Sequence, residues 1–348
     1  MRILFDCRYT RTDRHDGISR FSSELVRALS ERHPVEMLIS DERQLNLLPD
    51  LPWHKISAPT SAREPWVARQ VNKLKPDVVY TPMQTMGDAG RTYRFVSTVH
   101  DLIYYSNRTP PRNLPNVLRL AWRAYHLWWW PLRMTLDRAD AVVTVSETTR
   151  QLVSKHRLTK RQVVVVPNAS TLPPNTTRSK PERRELVYMG SFMPYKDVDT
   201  LAKALHHLPG ARLHLMSKAR PEDRERLLGL APPDTLVFHD GATDEEYAAV
   251  LAEATALMSA SRDEGFGIPL VEAMGFGTPV AVSDIPIFRE IGGAGAAYFP
   301  VGDSRAAADA VLELERNWEE HSRLARAQAE KFDWGKSADI LLQLLLRV

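Results

Sequence analysis

Glu264 and Glu272 stand at the two ends of the run Glu264-Gly265-Phe266-Gly267-Ile268-Pro269-Leu270-Val271-Glu272. Carboxylates accept hydrogen bonds from neighbouring hydroxyls, the usual way a protein holds a sugar or a ribose. Gly265 and Gly267 precede Pro269, which suits the first turn of a helix because its missing N–H costs nothing there. A helix beginning here offers bare backbone N–H groups and a positive dipole end, a good seat for phosphate. Gly275 and Gly277 then close the helix before an apolar run at 279–282. Glu264 lies ahead of the helix and Glu272 inside it, so both can address one ligand. The same pattern also fits a tight helix entry carrying two solvated glutamates.

Such residues need a scaffold, and the apolar periodicity supplies one. Short apolar runs bounded by turn residues recur at 2–6, 35–39, 77–80, 95–99, 141–145 and 162–166, and again at 185–190, 211–216, 235–238, 255–258 and 279–282. Helical patterns separate them, for example Ile18, Phe21, Leu25 and Leu29. Buried strands alternating with amphipathic helices predict an α/β protein with parallel sheets. The alternation pauses from Pro167 to Pro181, which reads as a linker between two domains. In doubly wound sheets ligands bind at the carboxyl ends of the strands, so function belongs in the strand-to-helix loops. The first strand is followed by Asp6-Cys7-Arg8-Tyr9-Thr10, not by G-x-G-x-x-G, and no G-x-x-x-x-G-K-[ST] loop exists.

The chain has 348 residues, 43% hydrophobic and 26% charged, which describes a globular protein of two domains, neither fibrous nor disordered. Cys7 is the one cysteine, so an intramolecular disulfide and a Cys-rich zinc site are excluded. The chain opens on Ile3-Leu4-Phe5 without a signal-peptide layout, and no apolar stretch reaches the length of a membrane span; a cytoplasmic location is expected. The net charge of +3 hides an asymmetry, because residues 51–200 hold 23 Lys/Arg against 11 Asp/Glu. That basic block suits a phospholipid surface or a phosphorylated acceptor, or is simply a solvated face. No nucleic-acid motif accompanies it. The segment Arg112 to Arg138 sets Trp122, Trp128, Trp129 and Trp130 among Arg119, Arg123 and Arg133. Leu114, Leu118, Ala121, Tyr125, Trp128 and Leu132 follow helical spacing and are expected to form a core stripe. The remaining tryptophans beside arginines predict peripheral contact with an anionic membrane, at its inner face.

The run from Glu264 to Glu272, continued by Ala273-Met274 and Gly277-Thr278-Pro279, resembles the E-x7-E motif of glycosyltransferase family 4. Asp16-Gly17-Ile18-Ser19-Arg20 is similar to the family's glycine loop, and Val99-His100-Asp101 to its His-Asp motif. Ala139-Asp140-Ala141 through Val145-Ser146, Val166-Pro167-Asn168, Ser283-Asp284-Ile285-Pro286 and Phe332-Asp333-Trp334 complete the series in chain order. The resemblance implies the GT-B fold, two Rossmann-like doubly wound domains facing across a cleft. On it, residues 1–168 form the acceptor-side domain, 169–182 the linker, 183–328 the nucleotide-sugar domain, and 329–348 a helix crossing back to the first. It implies a retaining, metal-independent transferase that moves a hexose, first of all mannose from GDP-mannose, or else a sugar from a UDP-sugar, to a glycan, lipid-linked or phospholipid acceptor. Glu264 would hold donor-sugar hydroxyls and Glu272 the ribose. Backbone groups of Phe266, Gly267 and Ile268 would meet the diphosphate and sugar, Lys196 the phosphate, Gly17 the β-phosphate, and His100 the sugar's reacting face. The catalytic set is then His100, Lys196 and Glu264.

Many family members carry arginine where this chain has Ser191, in Gly190-Ser191-Phe192-Met193-Pro194-Tyr195-Lys196. Serine removes a bidentate phosphate contact, for which Arg20, Lys218 and Arg220 are the candidate substitutes. Asp197-Val198-Asp199 matches the D-x-D of metal-dependent transferases, but it opens a helical pattern and is expected to cap it, with no metal or other cofactor. A sugar-nucleotide epimerase of the same fold, or a nucleotide-sugar-binding protein without catalysis, also fits these motifs.

Overall fold

The computed structural model describes residues 1–13, 15–110, 116–170 and 178–348, without the side chains at 116–118, 121 and 124. Among the described residues the chain divides into unit 1, Met1–Asn168 with Asp333–Val348, and unit 2, Ala169–Phe332. Unit 1 is built on β1 (Ile3–Asp6), β2 (Val35–Ile39), β3 (Trp53–Lys55), β4 (Val78–Thr81), β5 (Arg94–Val99), β6 (Ala141–Thr144) and β7 (Gln162–Val165), in the order β3-β2-β1-β4-β5-β6-β7. Unit 2 contains β8 (Glu185–Tyr188), β9 (Arg212–Leu215), β10 (Leu236–Phe238), β11 (Ala256–Ser259), β12 (Val280–Ser283) and β13 (Ala296–Phe299), ordered β10-β9-β8-β11-β12-β13. Every strand pair is parallel. Strands such as Ala256-Leu257-Met258-Ser259 are buried along their whole length because helices cover both faces of the sheet.

Each apolar run picked out in the sequence is a strand. Two strands had no comparable run: β3 is a three-residue edge strand with an exposed Trp53, and β13 reads Ala-Ala-Tyr-Phe, with no β-branched residue. In each sheet the strand order reverses once, between β1 and β4 in unit 1 and between β8 and β11 in unit 2. Loops leaving the carboxyl ends of such strands diverge and leave room for a ligand.

The last helix, Trp334–Arg347, belongs to unit 1. Asp333 caps it by accepting the Lys336 N–H at 2.8 Å, and Ser337 Oγ donates to the Pro167 carbonyl at 2.7 Å. The helix packs against Gly17–Ser30, with Trp334 tilted against Phe21 at 5.9 Å between ring centres. Leu341 and Leu345 are fully buried, whereas Leu346 faces out. Residues 329–332, expected to leave with this helix, stay in unit 2, where Phe332 stands edge-on to Phe266 at 5.5 Å. Of the expected linker, 171–177 lie outside the described residues. Arg178 is docked on unit 2, donating to Thr278 Oγ1 and to the Ala254 carbonyl.

The tryptophan segment departs from expectation. It forms two helices, Asn116–Tyr125 and Trp130–Arg138, and the break between them resets the helical phase. Tyr125 and Trp128, assigned to the core stripe, are exposed, while Leu132 is buried. Trp129 turns inward, stacked on Tyr105 at 4.1 Å and on His156 at 4.3 Å. Arg112 and Leu114, and the side chains of Leu118 and Ala121, lie outside the description.

Because Leu341 is fully buried in the returning helix, Leu341→Ala should cost about 2–5 kcal/mol. Urea unfolding would show this as a lowered midpoint at unchanged slope, and an unshifted midpoint would refute the packing.

Candidate active site

The two loops that flank the reversal of the second sheet carry the candidate residues. The loop after β8 runs through Gly190 and Ser191 to a 3-10 turn, Pro194–Lys196. The loop after β11 runs from Ala260 to the helix Ile268–Gly275. They meet in an ion pair between Lys196 Nζ and Glu264 Oε1, whose side chains are 16% and 13% exposed. Ser261 Oγ donates to the same carboxylate oxygen at 2.9 Å. Ser283, buried at the end of β12, donates to the Ser261 carbonyl and ties the loop to the sheet. Lys196 also lies 5.4 Å from the centre of the Tyr195 ring. Glu264 is therefore not solvated, and Glu272, 4% exposed within the helix, is not solvated either.

Gly267 caps the helix with φ +95°, a left-handed conformation that favours glycine, and a Cβ there would press on the Phe288 ring at 3.2 Å. The N–H groups of Gly267 and Ile268 have no acceptor within the helix they open. Phe266 is buried. The loop after β8 is equally fixed: Tyr188 donates its hydroxyl to the Ser191 carbonyl at 2.6 Å, and the Gly190 N–H donates to Ser217 Oγ at 3.2 Å. Burial, reinforced by the charge of Glu264, holds the Tyr188 phenol well above its ordinary pKa.

Lys218 and Arg220 follow β9, the neighbour of β8; both are exposed, and neither side chain has a partner among the described residues. Arg20, the third candidate, lies on the helix Gly17–Ser30 of unit 1. The expected capping role of Asp197 is not found. Its carboxylate makes no cap hydrogen bond and instead accepts from Arg262 Nη2 at 2.8 Å, while Asp199 pairs with Arg226. Both carboxylates of the D-x-D are thus taken by arginines.

Unit 1 holds Gly17 and His100. Gly17 begins its helix behind the Asp16 cap, and a Cβ there would meet nothing within 4 Å. Its own surroundings therefore do not demand glycine. His100 follows β5, with Nε2 at 2.8 Å from the Pro82 carbonyl and its ring edge-on to Phe21 at 4.8 Å. That contact makes Nε2 the protonated nitrogen and leaves Nδ1 as an acceptor. Removal from water lowers its pKa to about 4, against the opposing pull of the Pro82 carbonyl and Asp16.

Sequence reading missed a buried charge network at the reversal of the first sheet. Arg8, 3% exposed, donates to Asp6 at the end of β1 and to Glu64, and Thr81 at the end of β4 donates to Asp6 Oδ2 at 3.1 Å. The signal was present in the alternation Asp6-Cys7-Arg8, two charges closing an apolar strand. Ser261 and Arg262 were missed because nothing local marks them. A separate cavity of about 620 Å³ opens at the amino end of the second sheet, among Arg184, Gly210, Arg212 and Glu315. Arg184 and Arg212 there are already paired with Glu315 and Glu185, and ligands of a doubly wound sheet bind at the other end.

Two family models match the chain, Glycosyltransferase Family 4 over residues 15–170 and Glycosyl transferases group 1 over 174–331. The O-antigen chain mannosyltransferase RfbU of Salmonella typhimurium is 27% identical over 190 residues, 53% of this chain and 54% of that protein. The D-inositol 3-phosphate glycosyltransferase of Mycolicibacterium smegmatis is 29% identical over 240 residues, 60% of this chain and 53% of that protein. The chain thus spans about half the length of these relatives. Sucrose-phosphate synthase from Thermosynechococcus elongatus superposes with a TM-score of 0.76 at 19% identity, over 99% of this chain and 98% of that one. Anabaena HepE in complex with UDP-glucose superposes with a TM-score of 0.75 at 16% identity, over 100% of both chains. At such identities the likeness establishes the fold, GT-B with two Rossmann-like units.

His100 provides a test of the local environment. The folded protein binds its proton only near pH 4, the unfolded chain near 6.5, so between them the unfolded state holds the extra proton and stability falls as pH falls. Unfolding free energies of His100→Gln should fall less over that range than those of the unsubstituted protein; parallel curves would contradict the half-buried, neutral imidazole.

Proposed function

The chain belongs to glycosyltransferase family 4, and on that premise we propose that it moves a hexose from a nucleotide diphosphate donor to a hydroxyl of a glycan, lipid-linked or phospholipid acceptor, with retention at the anomeric carbon. The observation that carries this reading is the pairing of Lys196 with Glu264 at the reversal point of the second sheet. A cation there suits the diphosphate that departs as the sugar becomes cation-like, and a carboxylate suits the sugar hydroxyls. Glu272 takes the ribose, and the backbone of Phe266, Gly267 and Ile268 meets the diphosphate. Gly17 and His100 act toward the β-phosphate and the sugar's reacting face. With serine at 191, Arg20, Lys218 and Arg220 are the candidates to add positive charge, Lys218 and Arg220 from the same unit as Lys196.

In the proposed step the anomeric C–O bond to phosphate breaks, the acceptor oxygen attacks from the same face, and the leaving phosphate takes the acceptor's proton. No protein nucleophile is needed, and Glu264, already held by Lys196 and Ser261, serves as a hydroxyl acceptor. Mannose from GDP-mannose is the first donor, in keeping with the mannosyltransferase named above; a UDP-sugar is the alternative, in keeping with HepE. No metal takes part, in keeping with the arginine pairing of Asp197 and Asp199.

A thermal-shift panel of GDP, UDP, GDP-mannose and UDP-glucose tests the reading, since a ligand at 100 times its Kd adds about 2.7 kcal/mol of stability. GDP-mannose should raise the Tm with or without EDTA, and Lys196→Ala should slow transfer by about 10²-fold or more. No shift with any of the four would sink the proposal. Isomerised sugar from donor alone would mean an epimerase, and binding without transfer a non-catalytic protein.

The acceptor side is membrane-borne on this reading. Trp128 and Trp130 are 70% and 65% exposed, beside exposed Leu120 and Leu127, with Arg123 and Arg133 exposed among them. Indole with guanidinium suits the headgroup region of an anionic bilayer, the inner face of a membrane. No described helix is long and apolar enough to cross one. The protein should sediment with phosphatidylglycerol vesicles at low salt and not with phosphatidylcholine vesicles, and a Trp128→Ala/Trp130→Ala double variant should stay in the supernatant. Equal sedimentation of both proteins would remove the patch from the account.

A further inference from the structure

Residue 262 holds the chain on both sides of Lys196. Its backbone N–H donates to the Tyr195 carbonyl at 2.8 Å, and its guanidinium donates through Nη2 to Asp197 Oδ2, also at 2.8 Å. Two residues further along, Glu264 takes Lys196 itself. The loops after β8 and β11 are thereby stitched together at 195, 196 and 197 in succession. Asp197 is the residue that needs the stitch. It joins the turn Pro194–Lys196 to the helix Val198–Ala204 with φ 48° and ψ 43°, a left-handed conformation that Asp and Asn tolerate best among residues with a Cβ and that still needs outside support. Its carboxylate, 11% exposed, is turned to Arg262 and not to the helix it opens.

Lys196 has two anionic claimants. Glu264 holds it in the structure; on the donor reading above, on which this inference rests, a diphosphate takes the ammonium while Glu264 turns to sugar hydroxyls. Once that pair opens, a long flexible lysine is directed only by the backbone it leaves. We propose that Arg262 is the positioning residue for Lys196: by clamping Tyr195 and Asp197 it fixes the left-handed turn and aims the ammonium at the donor's diphosphate, without touching the substrate itself. The cost of ordering Lys196 is then met in the folded protein before the donor arrives.

A double-mutant cycle on the full chain tests this, with GDP and UDP as titrants in calorimetry. Arg262→Ala should weaken diphosphate binding by about tenfold or more, the loss typical of one charge-assisted contact. Arg262→Lys, which can still meet Asp197, should recover part of it. The pair Lys196→Ala/Arg262→Ala should bind no more weakly than Lys196→Ala alone, because a positioning residue has nothing left to position. Asp197→Asn tolerates the left-handed turn but gives up the charge, and it should weaken binding in the same direction as Arg262→Ala. Losses that add in the double variant would overturn the role, as would unchanged affinity in both Arg262→Ala and Asp197→Asn; either result would leave the donor reading standing if Lys196→Ala still binds poorly. An unsubstituted protein that binds neither nucleotide would overturn both.

Discussion

The ion pair between Lys196 and Glu264 is the constraint from which the second unit is best understood. Its partners lie 68 residues apart in sequence and meet because β8 and β11 are neighbours where the sheet reverses direction. Two largely buried charges are costly to remove from water, and each makes the other tolerable. Ser261 takes up part of the remaining acceptor capacity of the carboxylate, and Ser283 fixes Ser261. A left-handed cap at Gly267 then starts the next helix immediately beyond the pair. Neither loop can be moved far without stranding a charge.

The first unit solves the same topological problem differently. At its own reversal, between β1 and β4, Asp6, Arg8, Glu64 and Thr81 form a closed network. Burial alone would make the Arg8 guanidinium less basic, but Asp6 and Glu64 outweigh it and raise its pKa. Arg8 also donates to the Ser57 carbonyl and Glu64 accepts the Gly87 N–H, so this cluster ties the surrounding loops together. Elsewhere unit 1 has open space around Gly17, and its His100 ring is braced by Phe21, which also packs against Trp334.

Much of the scaffold was legible in the sequence because buried parallel strands read as unbroken apolar runs, and β3 and β13 escaped because one is a short exposed edge and the other is poor in β-branched residues. The helical stripe from Leu114 to Leu132 was misread at Trp128 because one helix ends at Tyr125 and another starts at Trp130, which periodicity counted straight through cannot register. Glu264 and Glu272 stood out by their spacing around the glycines, and Lys196 through the family resemblance. Arg262 did not, since its partner Asp197 lies 65 residues away and only folding brings them together. Asp197 shows the same limit from the other side: an acidic residue at a helix start ordinarily caps it, and here a tertiary guanidinium wins the carboxylate.

The closing helix, Trp334–Arg347, covers the apolar face of Gly17–Ser30, so unit 1 contains both early and late parts of the polypeptide with all of unit 2 between them. On the ribosome that face of Gly17–Ser30 therefore emerges bare and stays so while some 160 residues of intervening chain are made. Unit 2, continuous in sequence, is able to complete its core first. Nascent unit 1 is the part that must wait, and the part a chaperone has reason to shield.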